Sequence, residues 1–265
     1  MYKAVFLDLD DTLLDNEKNI SNENLEAIKY VKEKGGLVCI ASGRSIEATK
    51  KYKRLADASR YIIYSNGAGI FDCDANDKLF SADIEKEICL ILYKYSVEND
   101  IGIRIDTPYG RFISDEKYAL KLDIVFKPEE GENIIIDNDV LQISFLSEDE
   151  EKINEAIKFV NNNIPKTIKI ENIFKTGYSE EFFAINLINA NVSKGNAIYG
   201  LCKFLKIDIN DVIAIGDGLN DISMIKMAGL GVAMENGEPE LKSIADEITT
   251  TNLENGVAKV LRDKF

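Results

Sequence analysis

Four short segments of this 265-residue chain carry side chains whose types and spacing could do chemistry. The first is Asp8-Leu9-Asp10-Asp11-Thr12. Asp8 and Asp10 stand two apart, so in an extended chain both carboxylates lean the same way. Such a pair suits a hard cation, or a nucleophile with an acid–base partner. The plainer readings are an acidic turn or part of a calcium loop; an EF-hand loop needs further ligands and a closing Glu that this segment lacks. The second is Ser42-Gly43-Arg44, a hydroxyl ahead of a helix whose free N–H groups could hold an anion. Read alone, it is an ordinary N-cap Ser with a tight-turn Gly. The third is Lys194, in Val192-Ser193-Lys194-Gly195. A helix start disfavours a cation, so this Lys either pairs with something anionic or is a solvated surface residue. The fourth, Gly216-Asp217-Gly218-Leu219-Asn220-Asp221, orders two carboxylates and one amide between glycines that let the backbone bend or approach a ligand. The bland alternative is a Gly-Asp turn followed by a helix-capping carboxylate.

Composition narrows the chemistry. The chain has no histidine, which excludes Ser-His-Asp and Cys-His catalysis and every His-ligated zinc site. Acid–base work falls to carboxylates, Lys, Tyr or Cys. A formal net charge of -14 repels nucleic acid and anionic membrane surfaces, so neither is an expected partner. A small anionic substrate would need a locally positive pocket. Cys39, Cys73, Cys89 and Cys202 form no C-x-x-C pair and read as reduced, mostly buried thiols. The sequence opens on a strand-like run with no leader pattern, and it has no 18-residue apolar stretch. A cytoplasmic protein is the expectation.

The elements that must position these segments alternate at both ends of the chain. Lys3–Leu7, Leu37–Ala41 and Tyr61–Tyr64 read as strands, and Ser21–Lys34 and Ser45–Leu55 as helices, with Ser21 a candidate cap and Gly35-Gly36 a stop. The pattern resumes with a helix over Ser193–Leu205, a strand over Val212–Ile215 and a helix over Asp221–Ala228. A strand over Leu230–Ala233, a short helix over Pro239–Ile244, a strand over Glu247–Thr249 and a helix over Leu253–Lys264 follow. Runs apolar along their whole length, alternating with helices, predict a mainly parallel, doubly wound α/β sheet of Rossmann type. The middle differs. Helices over Ile84–Val97 and Glu148–Val160 flank a hairpin around Pro108-Tyr109-Gly110 and strands near Val140–Leu146, Thr167–Ile170 and Phe182–Leu187. This is an α+β pattern, with Pro128–Asn138 read as a loop inside it. The expected domains are residues 1–81 with 189–265, and an insert over 82–188. In open α/β sheets ligands lie beyond the carboxyl ends of the strands, where these four segments begin a loop or a helix.

Taken together and in this order, the segments resemble the haloacid dehalogenase superfamily, and within it the Cof-type phosphatases. D-x-D-x-T matches Asp8, Asp10 and Thr12; the S-G-R form of the second motif matches Ser42, Gly43 and Arg44. The motif Lys matches Lys194, and G-D-x-x-N-D matches Gly216, Asp217, Asn220 and Asp221. The Ser65-Asn66-Gly67-Ala68 run is also similar to this subgroup, and the insert resembles its C2-type cap. Asp11 and Asn191 stand where Gly is frequent, without removing a functional group.

The resemblance implies Mg2+-dependent hydrolysis of a small phosphorylated metabolite through an aspartyl-phosphate on Asp8, with Asp10 as acid and then base. Asp8, the Asp10 backbone carbonyl and Asp217 would hold the metal, with Asp221 orienting that shell from outside. Ser42, Lys194, Asn220 and the N–H groups of Leu9 and Gly43 would hold the phosphoryl oxygens. Sugar phosphates are the first substrate class, ahead of flavin or pyridoxal phosphates. A dehalogenase needs no magnesium and lacks the second Asp, so Asp10 and Asp217 argue against it. A sugar-phosphate mutase shares these motifs, and a non-catalytic phosphate-ligand binding protein is the third reading. Substrate choice should fall to the insert, where Arg104, Asp106, Tyr109, Arg111 and Tyr178 are candidates only, each more readily read as an ordinary surface or packing residue. No feature of the sequence sets an oligomeric state.

Overall fold

The computed structural model describes residues 2–120, 123–176 and 182–265. The chain opens with β1 (Ala4–Leu7), buried along its whole length. α1 (Asn22–Glu33) is capped as expected, the Ser21 side chain accepting from the Asn24 N–H, and ends at Gly35 in a left-handed conformation. β2 (Leu37–Ala41), α2 (Ile46–Leu55) and β3 (Tyr61–Tyr64) continue the alternation. β4 (Gly69–Asp72) and β5 (Asp77–Ser81), which the pattern did not foresee, then fold back antiparallel.

The insert runs through α3 (Lys86–Glu98), β6 (Gly102–Asp106), β7 (Arg111–Ile113), β8 (Ile124–Val125), α4 (Gly131–Asp137), β9 (Gln142–Ser147), α5 (Glu150–Asn163), β10 (Ile168–Thr176) and β11 (Phe182–Asn189). α6 (Lys194–Leu205), β12 (Val212–Gly216), α7 (Ile222–Met227), β13 (Leu230–Met234), α8 (Pro239–Ile244), β14 (Glu247–Thr249) and α9 (Gly256–Lys264) complete the chain. One expectation is corrected here: 128–138 is not a loop. Pro128 sits in the first turn of a short 3-10 segment that leads into α4, a position proline favours. Ile135 is fully buried in the insert's core. A single apolar ridge holds this helix, and the surrounding Glu, Asn and Asp hid it.

Packing divides the chain into two compact units, Met1–Ser81 with Val192–Phe265, and Ala82–Asn191. Among the described residues, the first unit is an eight-stranded sheet in the order β14-β13-β12-β1-β2-β3-β4-β5, parallel from β14 to β3. Phe6, Ala41 and Ala214 pack with Ile198 and Leu201 of α6 and Met224 of α7. α1 and α9 pack together, and the buried Asn24 side chain accepts from the Ala258 N–H at 2.9 Å. Covered strands of this kind are continuous apolar runs, which is why β1, β2 and β12 were legible. Because β12, β1 and β2 are parallel neighbours, Asp217, Asp8 and Ser42, each the first residue after its strand, emerge side by side.

Among the described residues, the second unit is a six-stranded sheet in the order β10-β11-β9-β6-β7-β8, antiparallel except between β7 and β8. Ile103, Ile105, Ile143 and Phe145 pack with Leu92 of α3 and Ile153 of α5. Phe145 is fully buried. Phe145→Ala should therefore cost about 3–5 kcal/mol, read as a lower urea midpoint for unfolding of the insert.

Candidate active site

Lys194 is the first residue of α6, and its side chain is completely buried. Ser193 caps the helix by accepting from the Asn196 N–H at 3.1 Å. The ammonium donates to Asp8 Oδ1 at 2.5 Å and to Asp221 Oδ1 at 2.6 Å. Asp8 follows β1, where its N–H donates to the Ile215 carbonyl of β12 at 3.0 Å. Asp221 ends the turn after β12. Its Oδ2 accepts from the Asp217 N–H at 3.0 Å and from the Gly218 N–H at 2.9 Å. A Cβ on Gly216 would lie 2.5 Å from the Asp221 carboxyl carbon, so the motif's first glycine leaves the space this carboxylate fills. Asp217 Oδ1 accepts from the Thr12 hydroxyl at 2.6 Å, which explains the Thr of the first motif.

Asp8, Asp217 and Asp221 can bring one oxygen each within 4.8 Å of one another. Both oxygens of Asp221 are committed to Lys194 and the backbone amides. Among the described residues, Asp8 and Asp217 each spend only Oδ1, which leaves their Oδ2 atoms to another ligand. One ammonium faces three carboxylates, so the cluster carries surplus negative charge. Burial, opposed by Lys194 and reinforced by Asp221 and Asp217, pushes Asp8 up to about 7. Burial and the Asp221 charge push Asp217 up to about 6 against the Thr12 hydrogen bond. For Lys194, burial acts to lower the pKa, and the two carboxylates outweigh it and raise it. An all-oxygen donor set with two open carboxylate oxygens and surplus charge fits a hard divalent cation.

Asp10 does not share this company. The expectation that Asp8 and Asp10 lean together in an extended chain fails, because residues 9–13 form a tight turn with Asp11 at a φ of 57°. The Asp10 carboxylate is instead gripped by Arg44 through Nε at 2.7 Å and Nη2 at 2.6 Å, with Lys18 at 2.9 Å. The Arg44 hydrogen bonds, with help from Lys18, hold this carboxyl down at about 2. Arg44 also stacks over the Tyr52 ring, 4.7 Å from its centre.

Of the other residues singled out by the sequence, Ser42 is buried and its hydroxyl accepts from the Arg44 N–H at 3.2 Å. Leu9 is buried in the turn after β1, and its carbonyl accepts from the Leu14 N–H. Asn220 donates to Asn66 Oδ1 at 2.9 Å, and a Cβ on Gly43 would meet that same Asn66 oxygen at 2.8 Å. Asn66 was noticed only as part of a familiar run. It lies in a left-handed stretch, Ser65 to Gly67 with φ of 47°, 56° and 96°, clamped by Asn66 N–H to Ser42 O at 3.0 Å. At Gly67 a Cβ would fall 2.2 Å from the Ser193 carbonyl, so this turn presses directly on the start of α6. Lys18 had no signal in the sequence. In the insert, Arg104, Asp106 and Arg111 lie on neighbouring strands, Tyr109 is 71% exposed in the hairpin turn, and Tyr178 lies outside the described residues.

The family model of haloacid dehalogenase-like hydrolases matches residues 5–261. The chain is 33% identical over 263 residues to the 5-amino-6-(5-phospho-D-ribitylamino)uracil phosphatase YcsE of Bacillus subtilis, covering 98% of this chain and 94% of that one. A phosphatase of the haloalkanoate superfamily from Bacteroides thetaiotaomicron superposes with a TM-score of 0.79 at 25% identity, covering 99% of this chain and 95% of that one. A Thermotoga maritima structure shares the fold with a TM-score of 0.84 at 22% identity, covering 100% of this chain and 98% of that one. The chain belongs to the haloacid dehalogenase superfamily, in its Cof-type group. It is an enzyme of the phosphoric monoester hydrolase class. Among the described residues, no helix is long and apolar enough to cross a membrane.

Two outcomes test this geometry. Gly216→Ala should displace the Asp221 carboxylate and cost about 1–3 kcal/mol of stability, read by thermal denaturation. The second concerns Asp8, whose folded pKa near 7 lies above its ordinary 3.8. In that window the folded state binds more protons than the unfolded one, so Asp8 costs stability as pH rises from about 4 to about 7. The stability difference between Asp8→Asn and the wild type should shift in the variant's favour as pH rises across that window, measured in chelator.

Proposed function

We propose that this protein hydrolyses small phosphomonoesters, sugar phosphates first among them, in the cytoplasm, with Asp8 as nucleophile and Mg2+ as cofactor. The buried Lys194–Asp8–Asp221 bridge with Asp217 alongside carries the proposal. A carboxylate attacking an anionic phosphate meets repulsion of about 4 kcal/mol at 4 Å and an effective dielectric near 20, roughly a thousandfold in rate. Lys194 is positioned to offset it. Asp8, Asp217 and the Asp10 backbone carbonyl would hold the metal, and Asp221, with both oxygens committed, would orient them. When bound, Mg2+ supplies charge neutralisation at the phosphoryl oxygens.

Asp8 attacks phosphorus, the bond to the leaving oxygen breaks, and Asp10 gives that oxygen a proton. Water then attacks phosphorus, Asp10 takes its proton, and the bond from phosphorus to Asp8 breaks. Ser42, Lys194, Asn220 and the N–H groups of Leu9 and Gly43 hold the phosphoryl oxygens through both steps. Arg44 and Lys18 hold Asp10 as a carboxylate, the form that the second step needs. The first step needs Asp10 protonated, so binding substrate must draw these two cations off it. The unit Ala82–Asn191 is assigned to substrate choice and the remainder to catalysis.

Asp8→Asn should abolish release of inorganic phosphate while leaving the circular dichroism spectrum unchanged. Chelation should remove the activity and added Mg2+ restore it. Turnover in the variant would overturn the nucleophile, and indifference to chelation would overturn the metal. Free phosphate as product separates this reading from a mutase, which returns the phosphoryl group to a sugar.

A further inference from the structure

The turn after β3 touches three other segments of its own unit: the loop after β2, the start of α6 and the loop after β12. All of these residues belong to the unit Met1–Ser81 with Val192–Phe265. The Asn66 N–H donates to the Ser42 carbonyl at 3.0 Å, and the Ser65 N–H donates to the Arg44 carbonyl at 2.9 Å. Gly67 lies against the Ser193 carbonyl, one residue before Lys194. The Asn66 side chain completes the set, its Oδ1 accepting from Asn220 Nδ2 at 2.9 Å.

This turn has an uncommon backbone. Ser65 and Asn66 are consecutive residues with positive φ, a region that residues bearing a Cβ seldom adopt and that Asn tolerates better than most. Such strain persists where surrounding contacts over-determine the chain, and it gathers at functional sites. Two glycines give the amide pair its space. A Cβ on Gly43 would meet Asn66 Oδ1 at 2.8 Å, and a Cβ on Gly218 would meet Asn220 Oδ1 at 2.6 Å. Neither glycine has a positive φ, so room rather than backbone freedom is what these two positions supply. Asn220 is itself exposed. An exposed amide without a partner would move among several rotamers, and ordering it when a ligand binds costs free energy. Its Nδ2 carries two hydrogens. Asn66 takes one, and the planar amide then fixes the direction of the other.

We propose that Asn66 is a positioning residue, which holds the Asn220 amide so that its remaining hydrogen is aimed at a phosphoryl oxygen. Asn66 acts through Asn220, from a turn tied to the Ser42 and Lys194 segments. The assignment rests on the phosphatase reading, in which Asn220 holds a phosphoryl oxygen. It adds a residue whose contribution is to order the pocket before the ligand arrives.

Asn66→Gly removes the amide and leaves a residue that adopts positive φ freely, so the turn should survive it. Four proteins test the proposal: the wild type, Asn66→Gly, Asn220→Ala and the double variant, each with saturating Mg2+. The readouts are kcat/KM for p-nitrophenyl phosphate and the calorimetric dissociation constant of inorganic phosphate. Asn66→Gly should worsen both by about tenfold in the otherwise wild-type protein, and by less than about twofold where Asn220 is already Ala. A residue that merely held the turn together would give the same loss in both backgrounds. Calorimetric stoichiometry counts competent sites, so the dissociation constant stays valid for a variant that folds incompletely. An unchanged phosphate constant in Asn66→Gly, equal losses in both backgrounds, or no phosphate binding by the wild type would overturn the proposal. Phosphate constants that follow the expected pattern, with no p-nitrophenol released by the wild type, would uphold it and sink the phosphatase reading instead.

Discussion

Burying an ammonium costs several kcal/mol unless anions surround it closely, and Lys194 is buried completely at a helix start that itself disfavours a cation. Asp8 and Asp221 meet that cost from two different directions. One carboxylate follows β1 and the other closes the turn after β12, so the bridge ties α6 to both strands. The neighbouring contacts obey the same constraint. Gly67 lets the turn after β3 press against the Ser193 carbonyl, and Gly216 leaves room for Asp221. Each of these close approaches sits within a residue or two of a charged group whose position the bridge sets.

Lys194 does not neutralise what it holds together. With Asp217 beside the bridge, three carboxylates meet one ammonium, and burial raises both Asp8 and Asp217. Thr12 and the backbone amides consume specific oxygens and leave others open. Asp10 lives under the opposite regime, with two cations and partial exposure. Two carboxylates separated by one residue thus differ by several pKa units, one near 7 and the other near 2. Burial sets the first value and paired cations set the second.

The insert solves a different problem. Its core is a conventional alternation of Ile and Phe against helices, and that alternation was readable. The polar partners on the other face, where Ser144 bonds Arg104, Gln142 and Asn186, were only partly so. Arg104, Asp106 and Arg111 drew notice as charged residues near a hairpin, while Gln142, Ser144 and Asn186 did not, because nothing in a single strand announces which residue on another strand it will meet. Register decides this, and register is a property of the assembled sheet.

What the sequence by itself determined is the wound-domain class and the identity of the reactive groups. Continuous apolar runs such as Ala4–Leu7 and Val212–Gly216 can only be buried on both faces, and parallel strands bring their carboxyl ends to one edge. Asp8, Ser42 and Asp217 were therefore legible as neighbours before any coordinates. The short-range pattern missed β4, β5 and α4, whose stability comes from partners rather than from their own periodicity. Only the tertiary structure decided that Asp10 belongs to Arg44 and Lys18, and that Asn220 reaches Asn66 across 154 positions. Only it showed that Lys194 loses all contact with water. Charge–charge distance and burial set each of these outcomes, and neither quantity exists until distant segments meet.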